Sequence, residues 1–84
     1  MGAMALYKLR IEAADLATGQ RLSQRLEELA SPAALAVTLF KAGAPCFLVE
    51  AYYDPAPAMA PIEAALTGMA GLKPPQIEAV PDQN

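Results

Sequence analysis

From Leu6 to Glu12 apolar and polar residues alternate with a two-residue beat. This puts Tyr7, Leu9 and Ile11 on one face of a strand and Lys8, Arg10 and Glu12 on the other. The beat then lengthens. Between Asp15 and Leu29, the residues Leu22, Leu26 and Leu29, with Leu16 and Gly19 upstream, recur at the three-and-four spacing of a buried helical stripe. Gln20, Arg21, Gln24, Arg25, Glu27 and Glu28 fall largely on the wet side. Asp15 is placed to cap this helix, because its carboxylate can accept one of the orphan N–H groups of the first turn. Gly19 weakens a helix by about 1 kcal/mol relative to alanine, which close approach to a sheet would explain. Pro32 disfavours helical geometry at Ser31 and predicts a stop near Ala30.

Two further strand-like runs follow, Leu35 to Lys41 and Cys46 to Tyr53, joined by the turn residues Ala42-Gly43-Ala44-Pro45. Leu35, Val37 and Leu39 are expected to face the same side as Phe47, Val49, Ala51 and Tyr53. A second helical stretch spans Ala60 to Met69. Pro61 is tolerable only in its first turn, so regular helix should begin near Met59 or Ala60. Met59, Ile62, Leu66 and Met69 form its apolar side. Gly71 is the expected C-terminal cap, and Pro74-Pro75 forbids continuation. A last strand, Gln76 to Val80, brings Ile77 and Ala79 to close the core.

Strand, helix, strand, strand, helix, strand is the split βαβ order. It predicts an α+β, ferredoxin-like sandwich: a four-stranded antiparallel sheet with both helices on one face. With the first strand central between the third and fourth, the outer face carries Lys8 and Arg10 between Glu50 and Glu78. Cross-strand ion pairs are expected there, each contributing a few tenths of a kcal/mol.

Composition narrows the function. Eighty-four residues suit one domain with a modest core, and 55% apolar content argues against disorder. Six basic residues against nine acidic ones give a net charge of −3, the wrong sign for a phosphate-binding surface. The outer sheet face carries Phe40, Leu48 and Tyr52, as RNA-binding split βαβ domains carry aromatics, but the aromatic-rich RNP pattern is missing from the third strand. No apolar run approaches the roughly 18 residues of a membrane span.

No residue set carries catalysis. There is no histidine, hence neither the commonest general base nor the commonest metal ligand. The single cysteine, Cys46, excludes an internal disulfide and a thiolate zinc site, and between Pro45 and Phe47 it reads as an inert strand-edge thiol suited to a reducing cytoplasm. Gly68 and Gly71 lie at a helix end and Gly43 in a hairpin, so no phosphate loop is present. Catalytic, cofactor and metal sites are therefore assigned to none of these residues. The candidate protein-binding surface is the open sheet face: Lys8, Arg10, Phe40, Leu48, Glu50 and Tyr52.

Three segments carry a family resemblance. Ile77-Glu78-Ala79-Val80-Pro81-Asp82-Gln83-Asn84 resembles the end of the N-terminal domain of the methyltransferase that modifies bacterial ribosomal protein L-eleven (the PrmA family), particularly its alphaproteobacterial type. Phe47-Leu48-Val49-Glu50-Ala51-Tyr52-Tyr53-Asp54 is similar to the third strand of that domain, and Leu6-Tyr7-Lys8-Leu9-Arg10-Ile11 to its first. Phe47 departs from the family, which often has tryptophan there. The resemblance spans residues 4–84 and implies a two-domain parent. In such a parent a ferredoxin-like domain holds the ribosomal protein. A separate catalytic domain binds S-adenosylmethionine and methylates lysine side chains and the N-terminal amine. On this reading residues 1–3 are a cloning remnant, 4–81 the recognition domain, and 82–84 the start of a linker. Two other classes stay open: a regulatory domain of ACT-like topology that binds a small metabolite at a dimer interface, and a structural interaction module. Ligand-dependent thermal stabilisation and dimerisation would favour the ACT-like class.

Overall fold

The computed structural model describes residues 6–30, 33–54 and 56–80. The expectations placed on residues 1–3, Ser31, Pro32, Pro55, Pro81 and 82–84 lie outside these. The elements run β1 (Leu6–Ala13), α1 (Leu16–Glu28), β2 (Ala36–Lys41), β3 (Phe47–Tyr53), α2 (Met59–Leu66) and β4 (Gln76–Val80). The four strands form one antiparallel sheet in the order β2-β3-β1-β4, the α+β ferredoxin-like arrangement that the alternation of periods predicts.

Register divides the sheet into two faces. Leu9 lies opposite Ala51 and Ile77, and Ile11 opposite Val49. Val37 and Leu39 lie opposite Ala51 and Val49. With Leu22 and Leu26 of α1, Ile62 of α2 and Tyr53, the residues Leu9, Ile11, Val49 and Ala51 form a core from which solvent is excluded. Burying each of the leucine, isoleucine and valine side chains contributes roughly 1.5–3 kcal/mol.

Asp15 caps α1 as its position suggests, accepting a hydrogen bond from the Thr18 backbone N–H at 2.8 Å. Gly19 is buried, and a methyl group there would sit 2.8 Å from Leu39 Cδ1. The glycine thus lets α1 settle onto β2, its helix-weakening cost offset by contact. Pro61 occupies the third position of α2, where its missing N–H would have no helical acceptor.

Four inward assignments are corrected. Leu16 is exposed at the first position of α1, and Leu35 is 59% exposed because it precedes β2 rather than beginning it. Ile77 (41% exposed) and Ala79 share the inner face with Leu9 and Tyr7 but do not close the core. The cause is placement of the second layer: α1 lies close over β1, β2 and β3, whereas α2 runs closest to α1 and reaches the core through Ile62. The end of α2 also differs. It stops at Leu66, and Gly68, with φ +86°, turns the chain out of the helix. Thr67 bonds back to the Glu63 carbonyl through both its N–H and its hydroxyl. Gly71, φ +82°, serves another turn. Its carbonyl accepts from the Ala14 N–H at 2.8 Å, and the Lys73 N–H donates to the Glu12 carbonyl at 2.9 Å. Leu72 bridges Ala13 between them, so residues 71–73 clasp the junction of β1 and α1.

Candidate functional site on the outer sheet face

The face turned away from the helices gathers residues from all four strands. Lys8 lies opposite Tyr52 on β3 and Glu78 on β4, and Arg10 lies opposite Glu50 and Gln76. On β2, Thr38 lies opposite Glu50 and Phe40 opposite Leu48. All six residues singled out from the sequence, Lys8, Arg10, Phe40, Leu48, Glu50 and Tyr52, therefore share one continuous surface.

Glu50 is its electrostatic centre. Lys8 Nζ lies 3.8 Å from its carboxylate and 3.3 Å from that of Glu78, while Arg10 Nε lies 3.4 Å from Glu50. The Tyr52 hydroxyl donates to Glu50 at 3.4 Å, a long and weak bond. These neighbours leave the Glu50 side chain only 12% exposed, against 53% for Glu78. Arg10 Nε is itself buried and makes no hydrogen bond among the described residues. Its contact with Glu50 is thus coulombic, without the alignment of a fork-to-carboxylate pair. The cross-strand ladder is present as expected, but its partners differ in weight. Glu78 pairs in the open, whereas Glu50 is held beneath its cations.

Toward the hairpin end the face becomes apolar. Phe40 is 43% exposed beside the half-buried Leu48. Next to them a hollow of about 100 Å³ is bounded by Arg10, Glu12, Leu48, Lys73, Pro74 and Gln76. Lys73 Nζ and Glu12 form an ion pair at 3.7 Å across its rim. Among the charges of this face, Lys8, Arg10 and Lys73 balance Glu12, Glu50 and Glu78. A polyanion would meet no net positive potential.

Cys46 adjoins the same end. A hydrogen bond to the Glu12 carboxylate raises its thiol pKa most, followed by burial and by the charge of Glu12, with Lys73 opposing. The thiol is held protonated, which agrees with an unreactive side chain. Cys46, Glu12, Ala14, Leu72 and Lys73 also line a mostly apolar hollow of about 300 Å³. The sequence does not disclose this cluster, since its members come from three separate segments. Only the clasp at residues 71–73 brings Lys73 to Glu12. No group of three or more metal-ligating side chains occurs among the described residues, and no described helix is long and apolar enough to cross a membrane.

No protein-family model matches the chain, and no curated protein matches it. Among solved structures, an uncharacterized protein, TM1266 from Thermotoga maritima, is similar in backbone with a TM-score of 0.60. It is 14% identical, over 94% of this chain and 100% of that one. At that identity the likeness extends to the fold.

Proposed function

We propose that this chain is the substrate-recognition domain of an S-adenosylmethionine-dependent methyltransferase that modifies ribosomal protein L-eleven. It holds the ribosomal protein through the outer sheet face while a catalytic domain outside this sequence transfers methyl groups to lysine side chains and the N-terminal amine. One observation carries the reading. The segments that resemble the PrmA family, Leu6–Ile11 and Phe47–Asp54, supply Lys8, Arg10, Leu48, Glu50 and Tyr52, a mixed aromatic and charged surface.

The chemistry of recognition follows from that surface. Phe40 and Leu48 offer apolar area for burial, and the balanced ladder below them offers charges whose partners can be exchanged for those of an incoming protein. Holding the substrate raises the effective concentration of its amines at the catalytic centre. The residues here bind and orient; S-adenosylmethionine belongs to the catalytic partner. A cytoplasmic location accords with the ribosomal substrate and the single free cysteine.

Isothermal titration tests this directly. The chain should bind the ribosomal protein weakly and S-adenosylmethionine not at all, and Phe40→Ala should abolish the ribosomal protein's heat signal. Tight cofactor binding with no response to the ribosomal protein overturns the proposal. The ACT-like reading draws on the apolar hollow beside Cys46. A small-molecule-dependent thermal shift that Leu72→Trp removes would favour it.

A further inference from the structure

The two free edges of the sheet are guarded very differently. β4 is preceded by Pro74-Pro75 and carries Glu78 at its centre, devices that blunt edge pairing. β2 has neither. From Ala33 to Phe40 the chain runs Ala-Ala-Leu-Ala-Val-Thr-Leu-Phe, eight residues without a charge, a proline or a glycine. That composition favours addition of another strand, and the run leaves Leu35 and Phe40 among the most exposed large apolar side chains.

We propose that β2 pairs antiparallel with β2 of a second copy of this chain, joining two four-stranded sheets into one. A two-fold axis constrains the pairing, because facing residues must point to the same side of the sheet. Val37 and Leu39 point inward, and Ala36, Thr38 and Phe40 point outward. Centring the axis on Thr38 satisfies this throughout. Thr38 then faces its own copy, a favourable hydroxyl pair, and Val37 faces Leu39. Small Ala36 faces large Phe40, and Lys41, the only charge on the strand, faces Leu35 rather than another lysine. The segment Leu35–Lys41 is thus self-complementary in size and free of like-charge contact. Thr38 is exposed, and its hydroxyl donates only a long bond of 3.3 Å to the Glu50 carbonyl, so its side chain remains available at the axis.

This association shares Phe40 with the proposed recognition surface but needs neither the ribosomal protein nor any small ligand. Dimerisation alone therefore does not distinguish a recognition domain from an ACT-like one, whereas its ligand dependence does.

Sedimentation equilibrium over a concentration series should show the mass rising from that of the 8.8 kDa chain toward twice that value. Thr38→Lys, which sets two lysines face to face, should hold it at one chain with an unchanged circular dichroism spectrum. In a Cys46→Ala background, Thr38→Cys should cross-link two chains on oxidation, while Gln76→Cys on the opposite edge should not. Should Thr38→Lys fail to fold, the cross-linking pair decides alone. A single-chain mass at every concentration without cross-linking overturns the proposal, as does a Thr38→Lys dimer as strong as the parent's. Protection of β2 amides that appears only when ribosomal protein is added also overturns it, assigning the edge to a foreign strand.

Discussion

The half of the sheet beneath α1 and the margin formed by β4 use similar residues to opposite effect. Leu9 and Ile77 are cross-strand neighbours on the same face. Leu9 is sealed from solvent, and Ile77 is 41% exposed. What separates them is the layer above. Leu22 and Leu26 press on β1 and β3, while α2 leans on α1 and sends Ile62 into the core without spreading over β4. A strand can therefore be correctly paired and correctly faced and still contribute little to the core. Pairing and coverage are separate achievements of the chain.

The largest expected effect breaks this contrast at its strong end. Leu9→Ala should cost about 2–5 kcal/mol in urea unfolding, whereas Ile77→Ala should cost less than about 1 kcal/mol. Equal losses would mean that α2 covers β4 in solution. Ile62→Ala sharpens the point. A loss of about 2–4 kcal/mol would make α2 integral to the core, and a loss near that of Ile77→Ala would make it an appendage.

Tyr53 probes the sealed half from its weak spot. Its hydroxyl is buried with no hydrogen-bond partner among the described residues, and burial raises its pKa. Tyr53→Phe should therefore be neutral or stabilising by up to about 1 kcal/mol. Because the folded pKa lies above the unfolded one, the parent keeps its full stability below the unfolded value near pH 10. It loses that contribution as pH rises through the folded value. The phenylalanine variant should lack that alkaline decline in a pH series of melting temperatures.

The outer face gives smaller effects. Glu50→Gln should cost about 1 kcal/mol and Glu78→Gln only about 0.3 kcal/mol by the same measurement, since only the former carboxylate is shielded among its cations. A loss of several kcal/mol for Glu78→Gln would contradict its exposure. Smallest in stability, yet easy to read, is Glu12→Gln. Removing that carboxylate's charge should lower the Cys46 thiol pKa and speed its alkylation by iodoacetamide at neutral pH.

The same contrast marks how far the sequence reaches. Two-residue alternation in Leu6–Glu12 and Phe47–Tyr53 states which side chains share a face, and strand order then places Lys8 and Arg10 between Glu50 and Glu78. Gly19 was legible because glycine inside a leucine stripe needs a reason, and contact with Leu39 supplies it. Leu35, Ile77 and Ala79 misled because periodicity reports the side of a sheet, never what lies above it. Gly71 misled for a related reason: both it and Gly68 can adopt positive φ, and only the Thr67 hydrogen bonds favour the nearer one. Arg25 left no pattern at all. Its guanidinium donates to the Ala65 carbonyl at 2.8 Å, satisfying an orphan acceptor at the end of the other helix.

The pairing of Leu6 with Val80 brings the incoming and outgoing backbone side by side on adjacent strands. Tension applied between these two points would load the ladder bonds one after another, as a zipper opens, instead of shearing them together. The domain would yield at low force from that end. A load applied there would therefore peel β4 away from β1 before it reached the core beneath α1.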